Sequence, residues 1–428
     1  MLERPGILRA LRLALAGLLI LAAPAAGQGK RLTKGELRKL PYNHPAQCPH
    51  TGGDPELLAK LGIVSTTGGF EFGDKDTKAV EELMPTTQIL WAETDHFRIG
   101  FGLGACKVSS KEKRKVQAEL EELTEILPDL NTRTRSLDPW LRLILTCRRM
   151  EAVYDRFLEV VQVEEDAFPE VGEQYMLGTP FMGLGPYVGM KSKYEILVVP
   201  SEAQLSDFLA DNFGLQMRYS QRWHHIERGA LTIVCHARQG SFRVDEALHA
   251  HLAFNIAFNL LDGYKHYAYD LPIWLREGFA HAIEREISER YNSFDGGEGV
   301  APPQSNKENW KAEVVKVIGK GDAPRMSELI RMLAFGELSI PDHYVIWSMT
   351  RFLMDEHTDG YACLLGTLKG SVDEQGYPDG SGMADRHREA FKSCIGMSYA
   401  EFDRAWTQWA TGTFVEDEEA AKKGQKAR

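Results

Sequence analysis

The sequence predicts an α+β protein, with a small mixed sheet in the first half and a mainly helical second half. Three observations predict it. Short apolar or alternating runs bounded by turn residues fall at 88–92, 96–101, 194–199 and 231–235, as strands do. Beyond Cys235 the apolar residues recur mostly at helical spacing as far as Ala410. The 428 residues, 43% hydrophobic and 26% charged, match ordinary globular usage and exclude wholesale disorder, collagen and low-complexity arrays.

The first segment reads as an export signal. Arg4, Arg9 and Arg12 supply a positive start, 13–23 an apolar run, and Ala23-Pro24-Ala25 a small-residue cleavage site. The run is shorter than the roughly 20 residues that a spanning helix needs, so a cleaved signal is the reading and an uncleaved N-terminal anchor the alternative. Cleavage after Ala25 removes one acidic and three basic residues, taking the formal charge from −11 to −13. This acidic balance argues against a nucleic-acid partner, which usually needs a basic face. The expected location is therefore periplasmic or extracellular, with no stable membrane span after cleavage. Six cysteines at wide spacing permit disulfides in such a compartment without fixing which pair.

The elements follow in chain order. Residues 26–86 form an N-terminal extension rich in Gly, Pro and charge. His44, Cys48 and His50 lie within it, but a single Cys falls short of the usual four-ligand structural zinc set, so a constrained surface loop is the reading. Residues 87–215 form a sheet-containing part. Its strands at 88–92 and 96–101 precede helices over 111–127 and 138–161, an irregular Gly-rich stretch over 169–193, and the strand 194–199 closed by Pro200. Ser201 then caps a helix through Phe213, with Glu202 well placed in its first turn. Residues 216–412 form the helical part, and 413–428 a charged tail expected to be disordered.

The informative segment is 244–290. It opens Val244-Asp245-Glu246-Ala247-Leu248-His249, on a helix apolar enough to be largely buried. Asp245 and His249 are four apart and share a face. His251, Asn255 and Asn259 form a second polar stripe at the same spacing. The next helix carries Trp274-Leu275-Arg276-Glu277-Gly278, with Glu277, His281 and Glu284 on one face.

This order of parts resembles the gluzincin metallopeptidases, and especially the exported peptidase MA-like families of uncharacterised bacterial proteins. In that plan a first helix carries His-Glu-x-x-His, whose two His bind zinc while the Glu activates water, and a second helix adds a Glu ligand. Asp245-Glu246-Ala247-Leu248-His249 is the best match to the first motif, and Glu277 matches the third ligand. A rival register starting at His251 keeps one His and loses the base, and is set aside. Residues 344–353 and 397–406 resemble later helices of such proteins, so the likeness covers most of 88–411. The resemblance implies a zincin-like fold, zinc as cofactor, Asp245, His249 and Glu277 as metal ligands, and Glu246 as catalytic base. His281 can stand behind Glu277, replace the missing His, or pack against apolar neighbours. Tyr344 can donate to an oxyanion or belong to the core.

Asp245 is the departure, since the family has His there. Aspartate is shorter than histidine, so the same backbone holds its oxygen short of the metal, and a second carboxylate makes the set more anionic. The expectation is a metallopeptidase-like protein with weakened or absent catalysis, binding a polypeptide or an envelope component. The alternative is an active zinc peptidase using an Asp/His/Glu site.

Overall fold

The computed structural model describes residues 32–296 and 307–426. The expected export signal lies outside them. Two compact units divide the chain, Met1–Pro41 and Tyr42–Arg428. The described part of the first holds one short helix, Lys34–Leu37, capped reciprocally by Thr33 and Glu36.

The second unit is α+β. Its main sheet has six strands in the order Ile63–Ser65, Leu90–Thr94, Phe97–Phe101, Tyr194–Val199, Ala230–His236, Gln221–His225. The two central junctions, Phe97–Phe101 with Tyr194–Val199 and Tyr194–Val199 with Ala230–His236, are parallel; the outer pairings are antiparallel. All six residues of Tyr194–Val199 are buried, which explains the unbroken apolar run. Its one charged side chain, Glu195, accepts at Oε2 from the Thr232 hydroxyl and the Gly73 N–H, each at 2.7 Å, and its Oε1 forms an ion pair with Arg228 at 3.1 Å. Gln221–His225 was not legible as a strand, because Gln-Arg-Trp-His-His has no apolar run. It sits at the end of the strand order, and its Arg222 is buried.

The helix Pro139–Val161 begins where Asp138 accepts from Trp140 N and Leu141 N, with Pro139 in the first turn. It packs on Asp245–Gly263, a helix in which all but one residue is buried. That helix leads into Ile273–Ile287, and the two pack against one another. Their junction is fixed by Arg276, whose Nε and Nη2 each donate to Asp262 at 2.6 Å. Lys369 adds a cation there, donating to the carbonyls of Asp262 and His266 at 2.7 Å each.

Ile273–Ile287 also packs on Ile340–Glu356. The approach is close at Gly278, where a Cβ would stand 2.9 Å from the Ile346 carbonyl oxygen. The Gly of Trp-Leu-x-Glu-Gly is thus required by helix contact. The closing helix, Tyr399–Lys426, runs on through the stretch expected to be disordered, in keeping with the high helix propensity of its Glu, Ala and Lys. Cys363 and Cys394 form a disulfide, and the other four cysteines are buried thiols. Among the described residues, no helix is long and apolar enough to cross a membrane.

Candidate metal centre

The residues singled out on the first helix meet cations. Asp245 is 3% exposed, and its Oδ2 lies 2.8 Å from Arg149 Nη2, with Arg142 Nε 3.9 Å from Oδ1. Arg149 also donates to both oxygens of Glu119, at 3.0 and 2.7 Å. Burial opposes charge on Asp245, but Arg149, Arg142 and Lys115 outweigh it and hold its carboxyl below the usual range. Burial, Arg149 and Lys115 together push the His249 imidazole well below its ordinary value. Neither ring nitrogen of His249 has a hydrogen-bond partner. The ring lines a cavity of about 370 Å³ with Arg148, Arg149, Ile283, Glu286 and Ile287. Glu246 is half-buried at the start of its helix, where its backbone N–H donates to Glu112 Oε2 at 3.1 Å.

Glu277 lies elsewhere. His249 stands across from Ile283 and Ile287, six and ten residues beyond Glu277. At a rise of about 1.5 Å per residue, that is roughly 9–15 Å along the helix axis. The ligand set expected from the resemblance, Asp245, His249 and Glu277, is therefore not what the fold brings together. The physical reasons are this axial offset and the guanidinium of Arg149, which already neutralises Asp245.

The fold assembles a different set: Glu277, His281 and His343. His281 Nε2 lies 3.1 Å from Glu277 Oε2 and 3.1 Å from His343 Nδ1; His343 Nδ1 lies 3.6 Å from Glu277 Oε2. Glu277 and His281 are fully buried and His343 is 3% exposed. Phe254, Phe294 and Trp310 pack their rings around the imidazoles. Burial pushes Glu277 up, and pushes His281 down and His343 down to about 4, so both imidazoles are neutral and offer lone pairs. Among the described residues, this is the one group of three or more His, Cys, Asp or Glu donors that converges on a single point.

A hydrogen-bonded network extends from it. The Asp295 N–H donates to Glu277 Oε1 at 2.9 Å, and the Asp295 carboxylate receives Arg222 at 2.8 Å. Arg222 also donates to Asn255 at 3.2 Å, and its guanidinium covers the Phe258 ring. His251 bridges the hydroxyls of Ser220 at 2.9 Å and Ser293 at 3.0 Å. The register set aside in the sequence, His251 to Asn255, is thus the face of the first helix that shares this network.

His281, one of whose readings was a replacement ligand, stands inside the group. His343 was missed: it is 62 residues from His281 in sequence, and no spacing marks it. The neighbouring Tyr344 is buried, and its hydroxyl accepts from Lys307 N at 3.0 Å. In the N-terminal region, His50 pairs with Asp138 at 2.7 Å, and the His44 ring accepts from Ala46 N. Compared with known proteins, the chain matches no family model and no curated sequence.

Proposed function

We propose that this is an exported metallopeptidase-like protein without effective catalysis, which binds a polypeptide or an envelope component. The carrying observation is the Asp245–Arg149 ion pair. A hydrolytic zinc site needs protein ligands around an open position and a base beside the bound water. Here the residue at the first ligand position neutralises an arginine. The residue at the second faces two cations. The matching Glu stands roughly two turns away in a sealed interior. The Cys363–Cys394 disulfide supports an oxidising compartment, and so export. The cavity beside His249 supplies a recess on the same face for a partner's side chain. Zinc belongs to this reading as a bound structural ion, since imidazole and carboxylate donors suit it.

The test is incubation of the purified full chain, supplied with zinc, with an unfolded protein substrate. No cleavage above background is expected, while retention of polypeptide on the immobilised protein is expected. Cleavage that is lost in both Glu246→Gln and Glu277→Ala would overturn the reading in favour of an active zinc peptidase.

A further inference from the structure

We infer that Glu277, His281 and His343 form a buried three-donor site for a divalent transition-metal ion of the zinc class, pinning Ile273–Ile287 to Ile340–Glu356. This deepens the reading above by naming where the ion sits. Two of the three ligands lie outside the set that the resemblance supplies.

Three observations carry it. The first is the donor triangle. Zinc bonds of about 2.0–2.1 Å at tetrahedral angles place neighbouring donors about 3.3–3.4 Å apart. The measured edges are 3.1, 3.1 and 3.6 Å. An ion just out of the plane of these atoms would reach all three without moving the backbone.

The second is unmet bonding capacity. Glu277 Oε2 is fully buried and accepts no hydrogen bond. With the single proton of a neutral His281 on Nδ1, on the Glu284 side, Nε2 is a lone pair that faces two further acceptors, the Glu277 carboxylate and His343 Nδ1. A metal ion at the centre satisfies all three lone pairs at once.

The third is the support behind the donors. Glu277 Oε1 is held by the Asp295 N–H at 2.9 Å, leaving Oε2 aimed at the imidazoles. Glu284 Oε2 lies 3.6 Å from His281 Nδ1 and is itself fixed by the Ser293 N–H at 3.0 Å. At 3.6 Å this is an ion-pair separation, longer than a hydrogen bond, and it places a carboxylate on the side from which metal-binding imidazoles are usually oriented. Two imidazoles and one carboxylate are too soft and too few for calcium or magnesium. Three protein donors leave the fourth position of a tetrahedral ion to a water, and Phe254, Phe294 and Trp310 pack around the imidazoles, away from solvent.

The experiment measures metal in the full chain as purified from zinc-supplemented cells, as zinc released to a chromophoric chelator on unfolding, together with the thermal midpoint with and without metal. One ion per chain and a raised midpoint in the metal-bound form are expected. His343→Gln and His281→Gln should each lose most of the metal, whereas His249→Gln should keep it. Cobalt in place of zinc should give the visible absorption of a tetrahedral nitrogen–oxygen site. Wild-type protein that releases only trace metal overturns the inference, whatever the variants do. So does full retention in folded His343→Gln. Zinc at this site in a protein that nonetheless cleaves peptides overturns the reading of absent catalysis and leaves the site intact. Absence of both zinc and cleavage overturns the site alone.

Discussion

The two ends of one helix pair bury carboxylates in opposite ways. At one end Asp245 meets Arg149 and Arg142, and His249 beside it faces cations with both nitrogens unpaired. At the other, Glu277 meets two neutral imidazoles and one backbone N–H. A buried anion must be neutralised or protonated. An arginine does this permanently and closes the place to any other cation. Around Glu277 the imidazoles are neutral, Arg222 and Arg276 act only from a distance, and burial prevails, leaving the place open to a cation. The comparison teaches that a ligand-like residue is read from the charge of its neighbours, and less from its position in a motif.

The largest expected effect comes from removing the arginine. Arg149→Ala removes the closest cation from buried Asp245 and both donors from Glu119, leaving Asp245 only Arg142 at 3.9 Å and the more distant Lys115, and should cost about 3–5 kcal/mol in urea unfolding. The double variant Arg149→Leu with Asp245→Leu should recover much of that loss. If the single variant unfolds like the wild type, the ion pair does not organise this end.

Gly278→Ala comes next. Its Cβ would press on the Ile346 carbonyl at 2.9 Å and push the Ile340–Glu356 helix away. A loss of about 1–3 kcal/mol is expected from overpacking. Metal retention should fall with it, since His343 rides on the displaced helix. A folded variant that loses stability but keeps full metal would uncouple the two.

Histidine titration sharpens the contrast. His96 stacks on Tyr154 and contacts Glu151 at 2.6 Å and Glu165 at 2.8 Å. Burial opposes its charge, but the two carboxylates outweigh burial and raise it to about 9. Its unfolded value is near 6.5. Its folded value is the higher one, so its stabilisation is fully present below about pH 6.5 and lost as pH rises through 9. On the order of 2 kcal/mol should disappear across that window, and His96→Gln should flatten the stability profile there. His249 runs the other way. Its folded value is depressed by burial, Arg149 and Lys115. It therefore costs stability as pH falls below about 6.5.

The smallest effect is expected for His249→Phe. It removes a buried ring with two unsatisfied nitrogens and keeps its shape, so stability at pH 7 should stay within about 1 kcal/mol or rise. Acid sensitivity below pH 6 should lessen. A large loss at neutral pH would show that His249 has a partner that the protein depends on.

Much of the fold was legible. Tyr194–Val199 and the Ser201-capped helix Glu202–Phe213 stand where apolar runs and caps put them. So does Pro139–Val161, begun by Asp138 and Pro139. These are local decisions, set by periodicity and by hydrogen bonds within a turn. The strand Gln221–His225 was not legible, because its burial depends on partners far away in sequence. The site divided the same way. The face shared by Glu277 and His281 follows from a spacing of four on a helix. The separation of Glu277 from Asp245 and His249 follows from how far two packed helices slide past one another, which no motif records.

The sequence by itself determined the α+β class, the burial of the helix Asp245–Gly263, the presence of polar stripes along it and the departure at Asp245. Only the tertiary structure decided what those polar groups face. Arg149 comes from a helix about a hundred residues earlier. His343 comes from one about sixty later, brought in by the close contact at Gly278. Helical spacing places side chains on a face; the charge that meets them there belongs to other elements, and in a low-dielectric interior that charge decides whether a carboxylate is neutralised or left to bind.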